Sequence, residues 1–291
     1  MSYSLKGKVA IITGANQGLG LEISRKYVIA GASIVMCARN SDLLTIVQKE
    51  LAIGLVPGQA IEVMQADVSD SGSVEQLINT TSQRFGRIDI LVNNAGIYGP
   101  MGPIEEVDWA EWIRAIEINL FGSILMCRAV LPTMKSQRQG KIIQLSGGGA
   151  TNPMPNVSAY AVSKAAIVRF ADSLAEEVRE FNIDVNAIAP GALNTRMLDE
   201  VLNAGPEKVG QAFFDKAIIQ KESGGAGLNH GAELALFLAS DASNNISGKL
   251  ISAVWDNWEH WPEHLDELRN SDAYTLRRIA GRDRGLLWGD K

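Results

Sequence analysis

Val9-Ala10-Ile11-Ile12-Thr13-Gly14-Ala15-Asn16-Gln17-Gly18-Leu19-Gly20 is the stretch that decides the fold. Four consecutive apolar residues read as a strand buried on both faces, bounded by Thr13-Gly14. Leu19 to Ala30 then reads as a helix, with Gly31 as its stop. Glycine permits the tight turn and lets backbone N–H groups approach an anion. The helix N-terminus adds a favourable field. Gly14, Gly18 and Gly20 therefore make a candidate pyrophosphate cradle, with Asn16, Gln17 and Leu19 in the same turn. The spacing is G-x-x-x-G-x-G, not G-x-G-x-x-G. Three glycines alone would fit any tight turn; their place after an N-terminal buried strand is what points to a dinucleotide.

The same rhythm continues outward. Strands are expected at Ser33 to Cys37, Ala60 to Gln65, Ile90 to Val92, Lys141 to Leu145, Asp184 to Ala189 and Lys249 to Val254. Helices are expected at Ser41 to Leu55 with Ser41 as N-cap, Ser71 to Phe85 ended by Gly86, Asp108 to Met134, Ser158 to Phe181 and Gly231 to Ala239. Short strands alternating with helices imply right-handed βαβ crossovers, hence an α/β fold: a doubly wound parallel sheet covered on both faces. No linker divides the chain, so residues 1–254 read as one domain. Residues 193–229 loosen the pattern, hold Gly205-Pro206 and Ser223-Gly224-Gly225-Ala226-Gly227, and read as a substrate loop with one or two helices. Residues 255–291 form a separate C-terminal extension with four of the six tryptophans and two of the three histidines.

Bulk properties agree with one globular unit. Hydrophobic residues make up 46% of the 291, ample for a core. A net charge of −6 leaves no basic footprint for nucleic acid or an anionic membrane surface. No apolar run of about 18 residues is present, so no membrane span is expected. Met1 to Lys8 is polar and too short for a signal peptide. Cys37 and Cys127 lie far apart in apolar stretches, which suits reduced thiols and a cytoplasmic setting better than a disulfide framework. His260 and His264 stand i and i+4, yet no H-E-x-x-H glutamate and no nearby cysteine joins them, so no metal is expected.

Other strand ends extend the candidate cofactor site, because strand C-termini face the ligand crevice in open parallel sheets. Asn93, Ala95 and Gly96, within Asn93-Asn94-Ala95-Gly96, let a cofactor lie close to the backbone; a plain Asn/Gly turn is the alternative. Asp67 and Val68 end the third strand and could meet an adenine edge, or Asp67 could cap a helix. The second strand ends Ala38-Arg39, where an acidic residue would hold the ribose 2′-hydroxyl of NAD. Arg39 suits a 2′-phosphate, so NADP(H) is expected over NAD(H); a solvent-facing arginine is the alternative.

The chemistry centres on Tyr160 and Lys164, i and i+4 on one helix face. A free tyrosine, with a pKa of about 10, is a poor acid-base group near neutrality. A neighbouring ammonium stabilises the phenolate and pulls that pKa down. Such a tyrosine can give a proton to a carbonyl oxygen or take one from an alcohol. Ser146, at the end of the fifth strand, can hydrogen-bond the same oxygen and polarise it.

In order and spacing these residues resemble the short-chain dehydrogenase/reductase family, over residues 6 to 254. The resemblance rests on Thr13 to Gly20, Asn93-Asn94-Ala95-Gly96, Asn119, Ser146, Tyr160-Ala161-Val162-Ser163-Lys164, and Pro190-Gly191 with Thr195. It implies a Rossmann-type fold and a tetrad in which Ser146 orients the substrate oxygen, Tyr160 is the acid or base, Lys164 also binds the nicotinamide ribose, and Asn119 holds a water. It implies that Pro190, Gly191, Leu193 and Thr195 border the nicotinamide and its phosphate. It implies a homotetramer or homodimer through the helices of Trp109 to Met134 and Ser158 to Phe181, whose apolar faces could equally be buried within the subunit. The chain departs from the pattern after Ser247-Gly248-Lys249-Leu250-Ile251, where Ala253-Val254-Trp255-Asp256 replaces an Asp-Gly-Gly stretch. Trp255, Trp258, Trp261 and His264 could wall the substrate loop, meet a neighbouring subunit or cover the sheet edge; structural packing is favoured. Arg277, Arg278, Arg282 and Arg284, interleaved with Asp283 and Asp290, read as a solvated surface.

The expected function is hydride transfer between NADP(H) and a small-molecule carbonyl or secondary alcohol, as a carbonyl reductase of 3-oxoacyl or related type. The alternatives are an NAD-dependent alcohol or sugar dehydrogenase and a non-catalytic dinucleotide-binding scaffold. Met154, Met197, Phe213 and Phe214 suggest a partly apolar substrate pocket.

Overall fold

The computed structural model describes residues 3–286 and 288. Seven strands form one sheet: β1 (Val9–Thr13), β2 (Ser33–Ala38), β3 (Ile61–Gln65), β4 (Ile90–Asn93), β5 (Gly140–Leu145), β6 (Ile183–Ala189) and β7 (Leu250–Ser252). Their order is β3-β2-β1-β4-β5-β6-β7, with every neighbouring pair parallel. The order reverses between β1 and β4, the switch point at which doubly wound sheets open a crevice.

The helices are α1 (Gly18–Ile29), α2 (Ser41–Ala52), α3 (Ser71–Phe85), α4 (Trp109–Ile116), α5 (Gly122–Gln137), α6 (Ser158–Val178), α7 (Arg196–Ala204), α8 (Pro206–Val209), α9 (Gln211–Ser223), α10 (Leu228–Ala239) and α11 (Leu265–Arg269). Successive strand residues face opposite layers. Ala10, Ile12, Ile90 and Val92 meet Ile23, Tyr27 and Phe237 of α1 and α10. Ile11, Leu91 and Ile142 meet Leu77, Met126, Val130 and Leu174 of α3, α5 and α6. The central strands β1, β2 and β4 are buried on both faces, which is why Val9–Ile12, Ile34–Cys37 and Ile90–Val92 read as unbroken apolar runs rather than alternating ones.

Several local expectations change. Asn40, not Ser41, caps α2: its Oδ1 accepts from Leu43 N at 3.0 Å, and Ser41 already lies in the first turn. The sixth helix ends at Val178; a 3₁₀ turn, Arg179–Phe181, and Asn182 at φ 56° follow. α4 and α5 are joined by a π-helical turn, Glu117–Phe121. The continuous run Trp109–Gln137 is long and apolar enough, by length and composition, to cross a membrane, which the sequence reading did not anticipate. Half of its most apolar stretch is buried within the fold. The substrate loop carries three helices rather than one or two. Gly205 (φ 77°) and Gly210 (φ 83°) break the chain, and Pro206 starts α8 at a position that needs no backbone N–H.

The C-terminal extension packs on the domain. Trp258 and Trp261 are buried, Trp258 against Phe237 (5.2 Å between centroids) and Trp261 against Tyr274 (4.3 Å). The extension also closes the β7 edge. Leu250 N donates to Tyr274 O (2.8 Å) and Ser252 N to Asp256 Oδ2 (2.7 Å). An edge strand so capped presents no free donors to another sheet. Trp255 differs, being 86% exposed at the mouth of the cleft. His264 is on the surface beside Glu267. Arg277 pairs with Asp272 and Asp283 on an exposed surface; Asp290 lies outside the described residues.

Candidate active site

A cleft of about 790 Å³ opens at the C-terminal ends of the strands. The glycine turn forms one wall. Gly14 (φ 62°) and Gly18 (φ 56°) hold left-handed backbone that side chains resist. A Cβ on Gly20 would lie 2.4 Å from Gly14 O, so this position closes the turn on itself. Gly14, Asn16, Gln17 and Leu19 border the cleft, while Gly18 and Gly20 stand behind it.

The turn is stitched to the end of β4. Thr13 Oγ1 accepts from the N–H of Asn94 and of Ala95, both at 3.0 Å. Asn94 Nδ2 donates to Thr13 O (2.9 Å) and Gly14 O (3.1 Å). Asn94 thus ties the end of β4 to the glycine turn. Strand alternation turns Asn93 to the other layer, where it is buried and its Nδ2 donates to Ser123 O at 3.2 Å. Asn93 does not reach the cleft; Ala95 and Gly96 do.

Asp67 and Val68, which follow β3, line the cleft. Asp67 does not cap α3; Asp70 does, accepting from Gly72 N and Ser73 N. The Asp67 carboxylate accepts from Ser69 N (3.0 Å), Ser69 Oγ (2.5 Å) and Arg114 (2.6 Å). Partial burial alone would raise its pKa, but the Ser69 hydrogen bonds and the Arg114 cation outweigh that and hold it below the usual value. Arg114 carried no sequence signal, since its partner lies on another element.

Arg39 is exposed, borders the cleft at the end of β2, and its guanidinium has no partner among the described residues. Its carbonyl accepts from Gln65 Nε2 at 2.9 Å, which fixes the backbone. Pro190, Gly191, Leu193 and Thr195 line the far wall, with Gly191 at φ 92°. A backbone bridge from Leu193 to Ala226 ties off the base of the α7–α9 lid. The lid holds its own small core of Leu198, Val201, Val209 and Ala217, packed against Tyr98 and Phe213.

Tyr160 and Lys164 descend from α6 to the cleft floor. Lys164 is 6% exposed; its Nζ donates to Leu145 O at 2.7 Å and stands 5.6 Å from the Tyr160 ring centroid. Burial dominates both groups. It pushes the Tyr160 phenol above its ordinary value, with a further contribution from Tyr98, and pulls the Lys164 ammonium down to about 8. The expected lowering of the Tyr160 pKa by Lys164 does not offset this burial; the ammonium donates to Leu145 O. Asn119 lies in the π turn and is 1% exposed. Its Oδ1 accepts from Ile97 N (2.9 Å), and its Nδ2 donates to Ile97 O (2.8 Å) and Ser163 Oγ (3.0 Å). It locks the loop after β4 to α6.

Ser146 follows β5. It borders the cleft, yet its hydroxyl donates to Lys164 O at 3.4 Å, and no hydrogen bond joins it to Tyr160 among the described residues. The residue against the Tyr160 hydroxyl is Gly147, where a Cβ would lie 2.3 Å from Tyr160 Oη. Tyr98, which the sequence reading missed, packs against Tyr160 with the rings tilted by 54° and their centroids 4.7 Å apart. Ile97, Met154, Met197, Leu198, Val201 and Phe213 add an apolar wall to the cleft.

The sequence pattern of the short chain dehydrogenase family matches residues 8–205. The chain is 35% identical over 213 residues to dehydrogenase/reductase SDR family member 7B of Bos taurus, covering 72% of this chain and 65% of that protein. It thus spans slightly under two thirds of that relative's length. It is 35% identical over 248 residues to the 7alpha-hydroxysteroid dehydrogenase of Escherichia coli (strain K12), covering 85% and 93%. Among solved structures, levodione reductase superposes with a TM-score of 0.77 at 29% identity, covering 89% of this chain and 98% of that one. Glycine turn, stitched β4 end and buried Tyr160–Lys164 pair agree with these likenesses, and the chain belongs to the short-chain dehydrogenase/reductase family, whose members are NAD(P)-dependent oxidoreductases.

Proposed function

We propose that the protein is an NADPH-dependent reductase of uncharged carbonyl compounds that also runs the reverse oxidation of the alcohol. The observation that carries this reading is one cleft holding both the glycine turn and the Tyr160–Lys164 pair. The residues present fit a dinucleotide. The Gly14–Gly20 turn leaves backbone where a phosphate would lie, and Arg39 offers an unpartnered guanidinium for a 2′-phosphate. Bound there, a nicotinamide would supply the hydride and, once oxidised, a positive charge.

Tyr160 gives its phenolic proton to the carbonyl oxygen as the hydride arrives, and takes it back in the reverse direction. A phenol held above its usual pKa stays protonated before the reaction, which suits a donor. Lys164 places a cation beneath the ring and favours the phenolate that forms. Asn119 holds the Ile97 loop and Ser163 in register, fixing the helix that carries both groups.

Ile97, Met154, Met197, Leu198, Val201 and Phe213 give the substrate side an apolar wall, and its cation, Arg196, is paired with Glu200 at 3.2 Å. This supports a neutral, partly apolar substrate. A 3-oxoacyl thioester fits that description, as does a cyclic ketone of the kind suggested by the names of the steroid and levodione relatives. Assembly as a homodimer or homotetramer is part of the proposal: Trp109 (64% exposed), Phe121 (51%) and Val162 (49%) leave an apolar patch on α4, the π turn and α6.

The test is carbonyl-dependent oxidation of NADPH by the wild type and by Tyr160→Phe. An enzyme of this kind loses nearly all turnover in the variant while still binding NADPH. Equal turnover in both proteins would refute the role of Tyr160, and a scaffold would show turnover in neither.

A further inference from the structure

A dinucleotide seated on the glycine turn sends one half toward Tyr160 and the other away from it. The turn follows β1, and the sheet runs β3-β2-β1-β4-β5 on either side of it. Tyr160 and Lys164 stand by the end of β5, where Lys164 meets Leu145 O. The half that carries the hydride therefore belongs over β4 and β5, and the other nucleoside over the ends of β2 and β3. Arg39 follows β2, Asp67 follows β3, and both border the cleft. With a ribose phosphate on Arg39, the base attached to that ribose falls to the neighbouring strand end, at Asp67 and Val68.

The Asp67 carboxylate is fixed from two sides. Its Oδ1 accepts from Ser69 N at 3.0 Å and from Ser69 Oγ at 2.5 Å. Ser69 alone would leave the second oxygen to swing about Cβ–Cγ. Arg114 stops this from another element: its Nη2 donates to Oδ2 at 2.6 Å, while its Nη1 is held by Glu117 at 3.1 Å. The helical run that carries Arg114 also presses on the same segment further along, since a Cβ on Gly122, at the start of α5, would lie 2.7 Å from Val68 Cγ2. A carboxylate offers about four acceptor positions. Ser69 takes both on Oδ1 and Arg114 one on Oδ2, so one acceptor remains, on a residue that borders the cleft. Arg114 stands behind it, outside the cleft lining. Partial burial works against ionisation, but the Ser69 hydrogen bonds and the Arg114 cation hold the Asp67 pKa below its usual value. An ionised acceptor selects an N–H donor and repels a carbonyl oxygen.

We propose that Arg114 is a positioning residue for the cofactor's non-reacting base, fixing Asp67 so that its one open oxygen accepts from an amino group on that base. The feature read in this way is an amino-purine edge. A base with a carbonyl oxygen at the same place meets the carboxylate oxygen to oxygen. The inference rests on the functional reading above, because it presupposes a dinucleotide in the cleft.

The experiment measures binding, not turnover. Fluorescence titrations compare NADPH with its deaminated analogue, in which hypoxanthine replaces adenine, for the wild type, Arg114→Met and Arg114→Lys. The wild type should bind NADPH at least about tenfold more tightly than the analogue, the loss of a charge-assisted hydrogen bond. Arg114→Met should bring that ratio to about threefold or less, and Arg114→Lys, which keeps a cation, should hold it above the Met variant. A purely structural role for Arg114 would weaken both cofactors alike and leave the ratio as it is in the wild type. A wild-type ratio below about tenfold, a ratio above about threefold in Arg114→Met, or no recovery in Arg114→Lys would each overturn the proposal. Should Arg114→Met fail to fold, Arg114→Ala is read against the same threshold. Failure of the wild type to bind NADPH would instead strike the functional reading itself, and this proposal with it.

Discussion

Lys164 and Tyr160 share a face of α6, yet the ammonium donates to Leu145 O at 2.7 Å and leaves the phenol without a hydrogen bond from it. A cation so buried is costly, and this is the physical reason its pKa falls to about 8. The sign for stability follows. The folded value lies below the unfolded one, so between about 8 and the ordinary lysine range the unfolded chain binds more protons, and stability rises with pH. Lys164→Met removes the buried charge. Its stability relative to the wild type should be most favourable near pH 7 and should decline as the pH climbs past 8. Urea unfolding of both proteins from pH 7 to 9.5 checks this; a pH-independent difference would contradict it.

Gly147 and Gly148 make a matched pair with opposite expectations. Both border the cleft, and neither has a positive φ. A Cβ at 147 would strike Tyr160 Oη at 2.3 Å, whereas at 148 nothing lies within 4 Å. Gly147→Ala should lose roughly a hundredfold in kcat by moving the acid, an effect of the size seen when a catalytic group is misplaced by about an ångström. Gly148→Ala should fold and turn over small ketones nearly as the wild type does. Gly148→Leu should discriminate against bulky ones. Steady-state kinetics on an acyclic and a bicyclic ketone measure both.

The tryptophans of the extension divide by burial. Trp258 (6% exposed) and Trp261 (5%) belong to the main core, so either alanine substitution should cost about 3–5 kcal/mol in unfolding free energy. Trp255, 86% exposed at the cleft mouth, should cost little stability and should raise KM for an apolar substrate. Denaturation midpoints and KM values on the same three variants separate packing from binding.

Much of this was legible in the chain. The run Ile90-Leu91-Val92 announces its strand because burial on both faces makes it unbroken apolar sequence, and Gly86 at φ 71° ends α3 where a glycine was expected to. The adjacent asparagines were misassigned for a reason available in principle: strand alternation sends Asn93 and Asn94 to opposite layers, and only the second meets the turn. The direction of the Ser146 hydroxyl was not available, since a rotamer depends on which acceptor, here Lys164 O, the fold brings near. Nor did any pattern mark the π turn at Asn119, which depends on packing around an otherwise ordinary helical run. Tyr98 lies in a loop without periodicity, and its meaning comes wholly from the ring it touches.

Arg39 borders the cleft just after β2 with an unpartnered side chain among the described residues, and the proposed preference for NADPH rests on it. Arg39→Ala should weaken NADPH by about tenfold or more, the loss of a charge-assisted hydrogen bond, and leave NADH nearly unchanged. Parallel fluorescence titrations of the variant measure both constants; an equal loss for the two cofactors would remove Arg39 from the 2′-phosphate site.

The most direct measurement is a titration of the wild-type protein with NADPH and with NADH, followed by tryptophan quenching. The account predicts saturable binding of both, with NADPH at least tenfold tighter. Tighter binding of NADH would contradict the reductase assignment and the role of Arg39, and binding of neither would contradict the oxidoreductase reading as a whole.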